Sequence, residues 1–311
     1  MENYGNYLGI LKWSLQQNDG TKPSDVKPMS KEDQEFFEKA MEEACVSDAQ
    51  RMKKCLDALK EETMDDEQRL TLLENLEVLL ENLDNARDFN NLNGYQFLIN
   101  LFRETKNDAI KESCLSLIGV AAQNQPQVQK ILLDAKVLPE LIAILKESSD
   151  MKMKAKTLGC ISSIVSGFGP AEQSFLFCNG LNALKEILMD PSSSVQLLRK
   201  CLFFLDQLVH SQTMFVVGGA ESFLTLQRKF LSADLINHVA SHFLTSKDVD
   251  VREAALFFTQ SVLSLDRTCF EKKEVMDALK AVVPSLLDYC LHPETPEEVK
   301  SAVSCIVNYV A

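Results

Sequence analysis

From about residue 66 onward the apolar positions recur at three- and four-residue spacing, the period of a helix with one buried face. Leu72, Leu73, Leu76, Leu79, Leu80 and Leu83 form one stripe, and Leu92, Tyr95, Leu98 and Leu101 form the next. Between them the stretch ENLDNARDF, residues 81–89, breaks the pattern with Asn82, Asp84, Asn85 and Asp88. Leu115, Ile118 and Ala122, then Leu198, Leu202 and Leu205, carry the same rhythm further along.

A longer period lies over the short one. Leu98, Leu101 and Phe102 return as Leu141, Ile144 and Leu145, and again as Leu184, Ile187 and Leu188, 43 residues apart each time. Looser echoes fall at Val239, His242, Phe243 and at Leu286, Tyr289, Cys290, after extra residues around the Val217-Gly218-Gly219 loop. A helical period of this length marks armadillo or HEAT stacks, whose units bury their apolar faces only against neighbours. The expected fold is all-α, a right-handed superhelix of armadillo-like repeats preceded by a short helical region. About four repeats are expected between 66 and 291, with a capping helix at 296–310. VLPELI at 137–142 and VVPSLL at 282–287 each read as a helix start, because proline suits a first turn where no amide partner is needed. Thr295-Pro296-Glu297-Glu298 reads as a capping box for the last helix.

The first 65 residues differ. Residues 16–29, QQNDGTKPSDVKPM, lack large apolar side chains and read as a linker. Ser30 and Asp33 suggest a helix start carrying Phe36, Phe37, Ala40, Met41 and Ala44, followed by a helix at 47–60 with Met52, Cys55, Leu56 and Leu59 inward. The expected division is a segment 1–29 with an apolar island at 4–15, a helical pair 30–65, and a repeat domain 66–311. The island holds Leu8, Ile10, Leu11, Leu15 and the single tryptophan, Trp13.

Charge narrows the function. The net charge of −13 is concentrated in residues 31–90, where 18 acidic side chains face 8 basic ones. Nucleic-acid binding asks for the opposite sign, so it is not expected. The nine cysteines include no C-x-x-C pair, which argues against zinc and for reduced thiols in a cytosolic protein. MENYGNYLGILKW carries no basic n-region, and no run approaches 18 apolar residues, so neither a signal peptide nor a spanning helix is expected.

The remaining constellations give little chemistry. Asp84, Ala86 and Asp88 put an alanine and then Phe89 where a calcium loop needs an oxygen and a glycine. His238 and His242 have the spacing of a zinc pair, but Val239 replaces the glutamate of H-E-x-x-H, and His242 falls on a repeat core position. No phosphate-binding glycine motif occurs, and no base is signalled for a cysteine nucleophile. No catalytic residue, cofactor or metal is expected, and a repeat array of this kind is a protein-binding surface rather than an enzyme.

Three stretches carry a family resemblance: ENLDNA at 81–86, LSLIGVAAQN at 115–124, and PMS at 28–30 followed by FFEKAM. With LKWS at 11–14, they make the chain similar to the armadillo-type nucleotide-exchange factors of the seventy-kilodalton heat-shock chaperones, the Hsp-binding-protein and Fes group. The resemblance implies a co-chaperone whose partner is lobe II of the chaperone's nucleotide-binding domain, and which promotes ADP release and client release. A monomer without nucleic-acid or membrane partners is expected, in the cytoplasm with the nucleus as a second compartment. Carried over by position, Ala86, Asn85, Asp84 and Asn82 lie on the chaperone-facing surface, as does Arg199. Leu8, Leu11, Trp13 and Leu15 make up a client-release segment. Arg at position 86 is then expected to block the partner while the helix tolerates it. From the residues alone, Asn82–Asn85 equally read as a helix end whose polar side chains cap carbonyls, and Arg199 as a solvated charge. A generic armadillo adaptor for an extended peptide is the alternative, although no repeat carries the tryptophan that importin-like grooves use.

Overall fold

The computed structural model describes residues 30–32, 34–37, 46–61, 63–82, 84–210, 232–265 and 267–311; the client-release segment, the 217–219 loop and Asp33 lie outside them. The chain divides into two compact units, residues 1–62 and 63–311. In the first, helix α1 (Asp48–Leu59) starts at a capping box: the Ser47 hydroxyl accepts from the Gln50 amide at 3.2 Å, and the Gln50 side chain accepts from the Ser47 amide at 3.0 Å. Met52, Leu56 and Leu59 are buried, as their spacing requires.

The second unit contains no strand among its described residues. Three triads of short, medium and long helices follow α2 (Asp66–Leu80): α3 (Asn85–Asn91), α4 (Gly94–Glu104) and α5 (Asp108–Ala122); α6 (Pro126–Asp134), α7 (Val137–Glu147) and α8 (Met151–Val165); α9 (Gly169–Phe177), α10 (Gly180–Met189) and α11 (Val195–His210). Beyond them come α12 (Ala233–His242), α13 (Val249–Leu265), a 3₁₀ turn (Arg267–Phe270), α14 (Lys273–Leu291) and α15 (Glu297–Val310). The long helices α2, α5, α8, α11, α13 and α15 pack in sequence, each on the next. A second row is made by α7, α10, α12 and α14.

The 43-residue period is visible in the backbone. Asn93, Lys136 and Asn179 each precede a medium helix in the left-handed region, at φ 57°, 56° and 62°. Asparagine adopts that conformation readily; lysine does so at some cost. Behind the turns, the Phe89 and Phe175 rings lie flat against Gly94 and Gly180, so that a Cβ on either glycine would come within 2.6 Å of ring carbon. In the middle triad the corresponding places hold Leu132 and Val137, both buried. A smaller ring-side residue and a larger partner fill the same volume.

Two expected helix starts are corrected. Pro284 does not open a helix but lies inside the 19-residue α14, which runs through it at the loss of one backbone bond. Thr295 does not form a capping box: Pro296 is the N-cap, and the Thr295 hydroxyl donates back to the Tyr289 carbonyl at 2.8 Å, closing α14 instead. Pro139, by contrast, stands in the first turn of α7. Cys114, Cys160 and Cys201 are buried on the long helices, and burial pushes the first two thiols up to about 12, which keeps them protonated and unreactive. Cys55, Cys178, Cys269, Cys290 and Cys305 are only partly buried. No helix among the described residues is long and apolar enough to cross a membrane.

Candidate functional site

The polar junction at 81–86 is built by the end of one helix and the start of another. α2 stops at Leu80, and the Asn85 amide side chain reaches back to donate to the Leu79 carbonyl at 2.7 Å. Asn82 accepts the Asp84 amide through its side-chain oxygen at 3.1 Å, tightening the turn. A capping role is therefore real at this junction. Asn82 and Asp84 are exposed, whereas Asn85 and Ala86 point inward and are 6% and 5% exposed. The Ala86 carbonyl accepts the Tyr95 hydroxyl at 3.3 Å, and the Tyr95 ring stacks edge-on against Phe89. Position 86 is buried rather than exposed, so an arginine there must extend through the adjoining space to reach solvent, a cost that helix propensity does not include.

The repeat register explains the inward turn. Forty-three residues on, Asn85 becomes Val128 and then Ala171, all buried. Ala86 becomes Gln129 and then Glu172, buried polar side chains with partners. Gln129 donates to the Ser163 and Ser166 carbonyls at 2.9 and 3.0 Å, tying down the end of α8. Glu172 accepts the Gly167 amide at 3.2 Å. Alanine at 86 is the truncated version of this position, and a groove of about 310 Å³ opens beside it between α3 and α6. Arg87, Asn90, Gln125, Gln127 and Val128 are among the residues that line it.

The second region is a largely half-buried polar face of the long helices, where polar side chains join each helix to the next. Lys152 on α8 pairs with Glu112 on α5. Lys156 donates to the Ser116 hydroxyl at 3.2 Å, and Ser116 donates to Glu77 on α2 at 2.8 Å. Gln207 on α11 accepts from Ser166 at 2.9 Å, and the Ser261 hydroxyl on α13 donates to Asp206 at 2.6 Å. Arg199 on α11 ion-pairs with Asp250 on α13, both about half exposed. Beside it, the Lys200 amine donates to the Ala155 carbonyl at 3.1 Å. Partial burial, then the nearby charges of Lys156 and Arg199, hold the Lys200 amine below its ordinary range. Phe203, 56% exposed, stands one turn further along the same helix.

The sequence reading named Arg199 on this face and missed Lys152, Lys156, Lys200 and Phe203. The signal available for them was the helical spacing from Arg199, and, for Lys156 and Lys200, their like places on successive long helices. The junction and Arg199 belong to different triads, and no contact joins them among those described. His238 and His242 stack at 4.3 Å between ring centres, with His238 half-buried; burial, then the neighbouring His242, lowers the His238 pKa. His242 is exposed rather than in the core, a correction to its expected place. No group of potential metal ligands gathers among the described residues.

Comparison with known proteins bears on what such an arrangement is for. Residues 85–289 match the family described as SIL1/FES1/HPBP1 C-terminal domain, and residues 8–91 match that described as nucleotide exchange factor Fes1. Nucleotide exchange factor SIL1 of Xenopus laevis is 25% identical over 66% of this chain and 46% of its own length. Hsp70 nucleotide exchange factor FES1 of Saccharomyces cerevisiae is 24% identical over 63% of this chain and 68% of its own. Hsp70-binding protein 1 of Homo sapiens is 25% identical over 72% and 67%. The chain thus spans less than half the length of the frog relative and about two thirds of the other two. Among solved structures, a designed armadillo repeat protein bound to the peptide (KR)4 superposes with a TM-score of 0.64 at 14% identity, covering 84% of this chain and 99% of that one. The armadillo-repeats-only protein of Plasmodium falciparum gives 0.53 at 15% identity, covering 76% and 100%. The fold is an all-α stack of armadillo-like repeats.

Proposed function

Because this chain belongs to the SIL1/FES1/HPBP1 C-terminal-domain family, we propose that it is a nucleotide-exchange co-chaperone that binds the nucleotide-binding domain of a cytosolic seventy-kilodalton heat-shock chaperone. The observation that carries the reading is the pair of family matches, which together run from residue 8 to residue 289. It acts by binding, not by catalysis. As a monomer, the repeat domain 66–311 grips lobe II of the partner and favours the open nucleotide cleft, while the helical pair 30–65 and the segment 1–29 lie ahead of it. Linkage supplies the effect: a partner that prefers the open state must weaken ADP binding by the factor by which ADP weakens the partner. Moving a mostly closed cleft to mostly open needs about 5 kcal/mol of differential binding.

The contact residues we propose are Arg199 on the long-helix face and Asn82, Asp84, Asn85 and Ala86 at the junction. Asn82 and Asp84 meet the partner directly, and the buried pair Asn85 and Ala86 shapes the groove beside them. Stopped-flow release of fluorescent ADP from the chaperone should accelerate when this protein is added, and an unchanged rate at saturation would remove the proposal. Arg199→Ala should lose most of that acceleration while keeping its melting temperature, since an exposed ion pair contributes at most about 1 kcal/mol.

The island Leu8, Leu11, Trp13 and Leu15 is proposed to compete with unfolded clients for the chaperone's substrate groove. A linker of the length of residues 16–29 spans about 20 Å root-mean-square if coil-like, which keeps the island concentrated near its target. Deleting residues 1–20 should leave ADP release unchanged and slow displacement of a labelled client peptide. Equal displacement by the truncated chain would discard the idea.

A further inference from the structure

Arg199 is not a free cation waiting for a partner. Its guanidinium is held by Asp250 across the α11–α13 junction, and both side chains remain about half exposed. The neighbouring cations have their own intramolecular acceptors, the Ala155 carbonyl for Lys200 and the Ser116 hydroxyl for Lys156. Of these acceptors only Asp250 bears a charge and is exposed enough for an external group to replace it. Lys156 and Lys200 add their positive charge to that of Arg199 on this face, so a carboxylate is the group the site draws.

We propose that Asp250 is a partner-discriminating residue: it occupies Arg199 as an internal carboxylate ligand, and the partner binds here by exchanging one of its own carboxylates for it. The proposal rests on the exchange-factor reading and on Arg199 facing the partner. Exchange keeps the guanidinium paired when the interface closes over it and returns the exposed Asp250 carboxylate to water, and it favours a group that matches or betters a carboxylate. A neutral hydrogen-bond acceptor displaces Asp250 less readily than a carboxylate does, which sets a threshold against weaker surfaces. Because exposed pairs are weak, the threshold is modest, on the order of a two- to fivefold handicap in affinity.

The test is calorimetric titration of the full chain with the nucleotide-binding domain of a cytosolic seventy-kilodalton chaperone at low salt. Asp250→Asn should bind about two- to fivefold more tightly than the parent chain, Asp250→Glu should bind like the parent, and Arg199→Ala should bind more weakly. In the double variant Arg199→Ala/Asp250→Asn, the gain from Asp250→Asn should vanish, because nothing is left to release. A purely structural role for the pair predicts the opposite sign, with Asp250→Asn weakening binding alongside Arg199→Ala. Parent-chain binding with Asp250→Asn unchanged or weaker overturns this inference alone. Absence of binding by the parent chain overturns the exchange-factor reading and takes this inference with it. Circular dichroism melting of Asp250→Asn, expected within a few degrees of the parent, confirms that the comparison is between folded chains.

Discussion

Gly180→Val should destabilise the chain by about 1–3 kcal/mol, and adding Phe175→Leu should recover a large part of the loss. A Cβ at Gly180 would lie 2.2 to 2.5 Å from three carbons of the Phe175 ring, well inside contact distance. The ring cannot swing away, since it is fully buried and packs edge-on against Phe204 at 5.4 Å between centroids. Helix propensity would favour valine over glycine, so a loss on substitution reports packing and not backbone preference. Phe175→Leu alone leaves a void beside the glycine and should also cost about 1–3 kcal/mol. The two changes together recreate the middle repeat, where Leu132 and Val137 fill the same places without strain. Urea unfolding of the four chains gives the coupling directly, and it should exceed about 1 kcal/mol in the compensating direction. Strictly additive losses would show that the repeats do not share this packing solution.

Gln129→Leu should cost still more, about 2–4 kcal/mol. The side chain is 1% exposed, and its one amide group serves two carbonyls at the end of α8, Ser163 and Ser166. Leucine nearly matches its volume but has no N–H, so both partly buried carbonyls would lose their donor, at about 1–3 kcal/mol each. Gln129→Glu separates polarity from donation: the carboxylate is polar and similar in shape, yet it would face two oxygens. It should be at least as damaging as leucine at neutral pH. Either variant unfolding at the parent's urea midpoint would mean that the α8 carbonyls find other donors.

Both predictions depend on which features a linear reading can reach. The helices of the triads, the 43-residue spacing and α1 were legible because each follows from local facts. Apolar side chains at helical spacing must share one face, and a repeat that cannot bury that face alone must be followed by its like. The family was legible through ENLDNA and the neighbouring motifs. Asn85 and Ala86 read as surface because the family resemblance carried them there by position. The same register that places Val128 and Ala171 in the core carries the warning, since it puts Asn85 there too.

What only the tertiary structure decided is the pairing of groups distant in the chain. Arg199 and Asp250 are separated by 51 residues, and nothing local to either announces the other. Gln129 finds its carbonyls 34 and 37 residues away, so nothing local marks it as a buried, doubly bonded amide. Pro284 and Thr295 went the same way. Proline is compatible with a helix start, but packing of α14 against α12 and α15 holds one continuous helix through it. The Thr295 hydroxyl can serve the helix ahead or the helix behind, and the direction of the chain at Tyr289 settles it. Sequence pattern specifies which face of an element is buried because that depends on spacing alone. Which partner a polar group meets depends on where the other elements come to rest, and that is fixed only when the long helices stack.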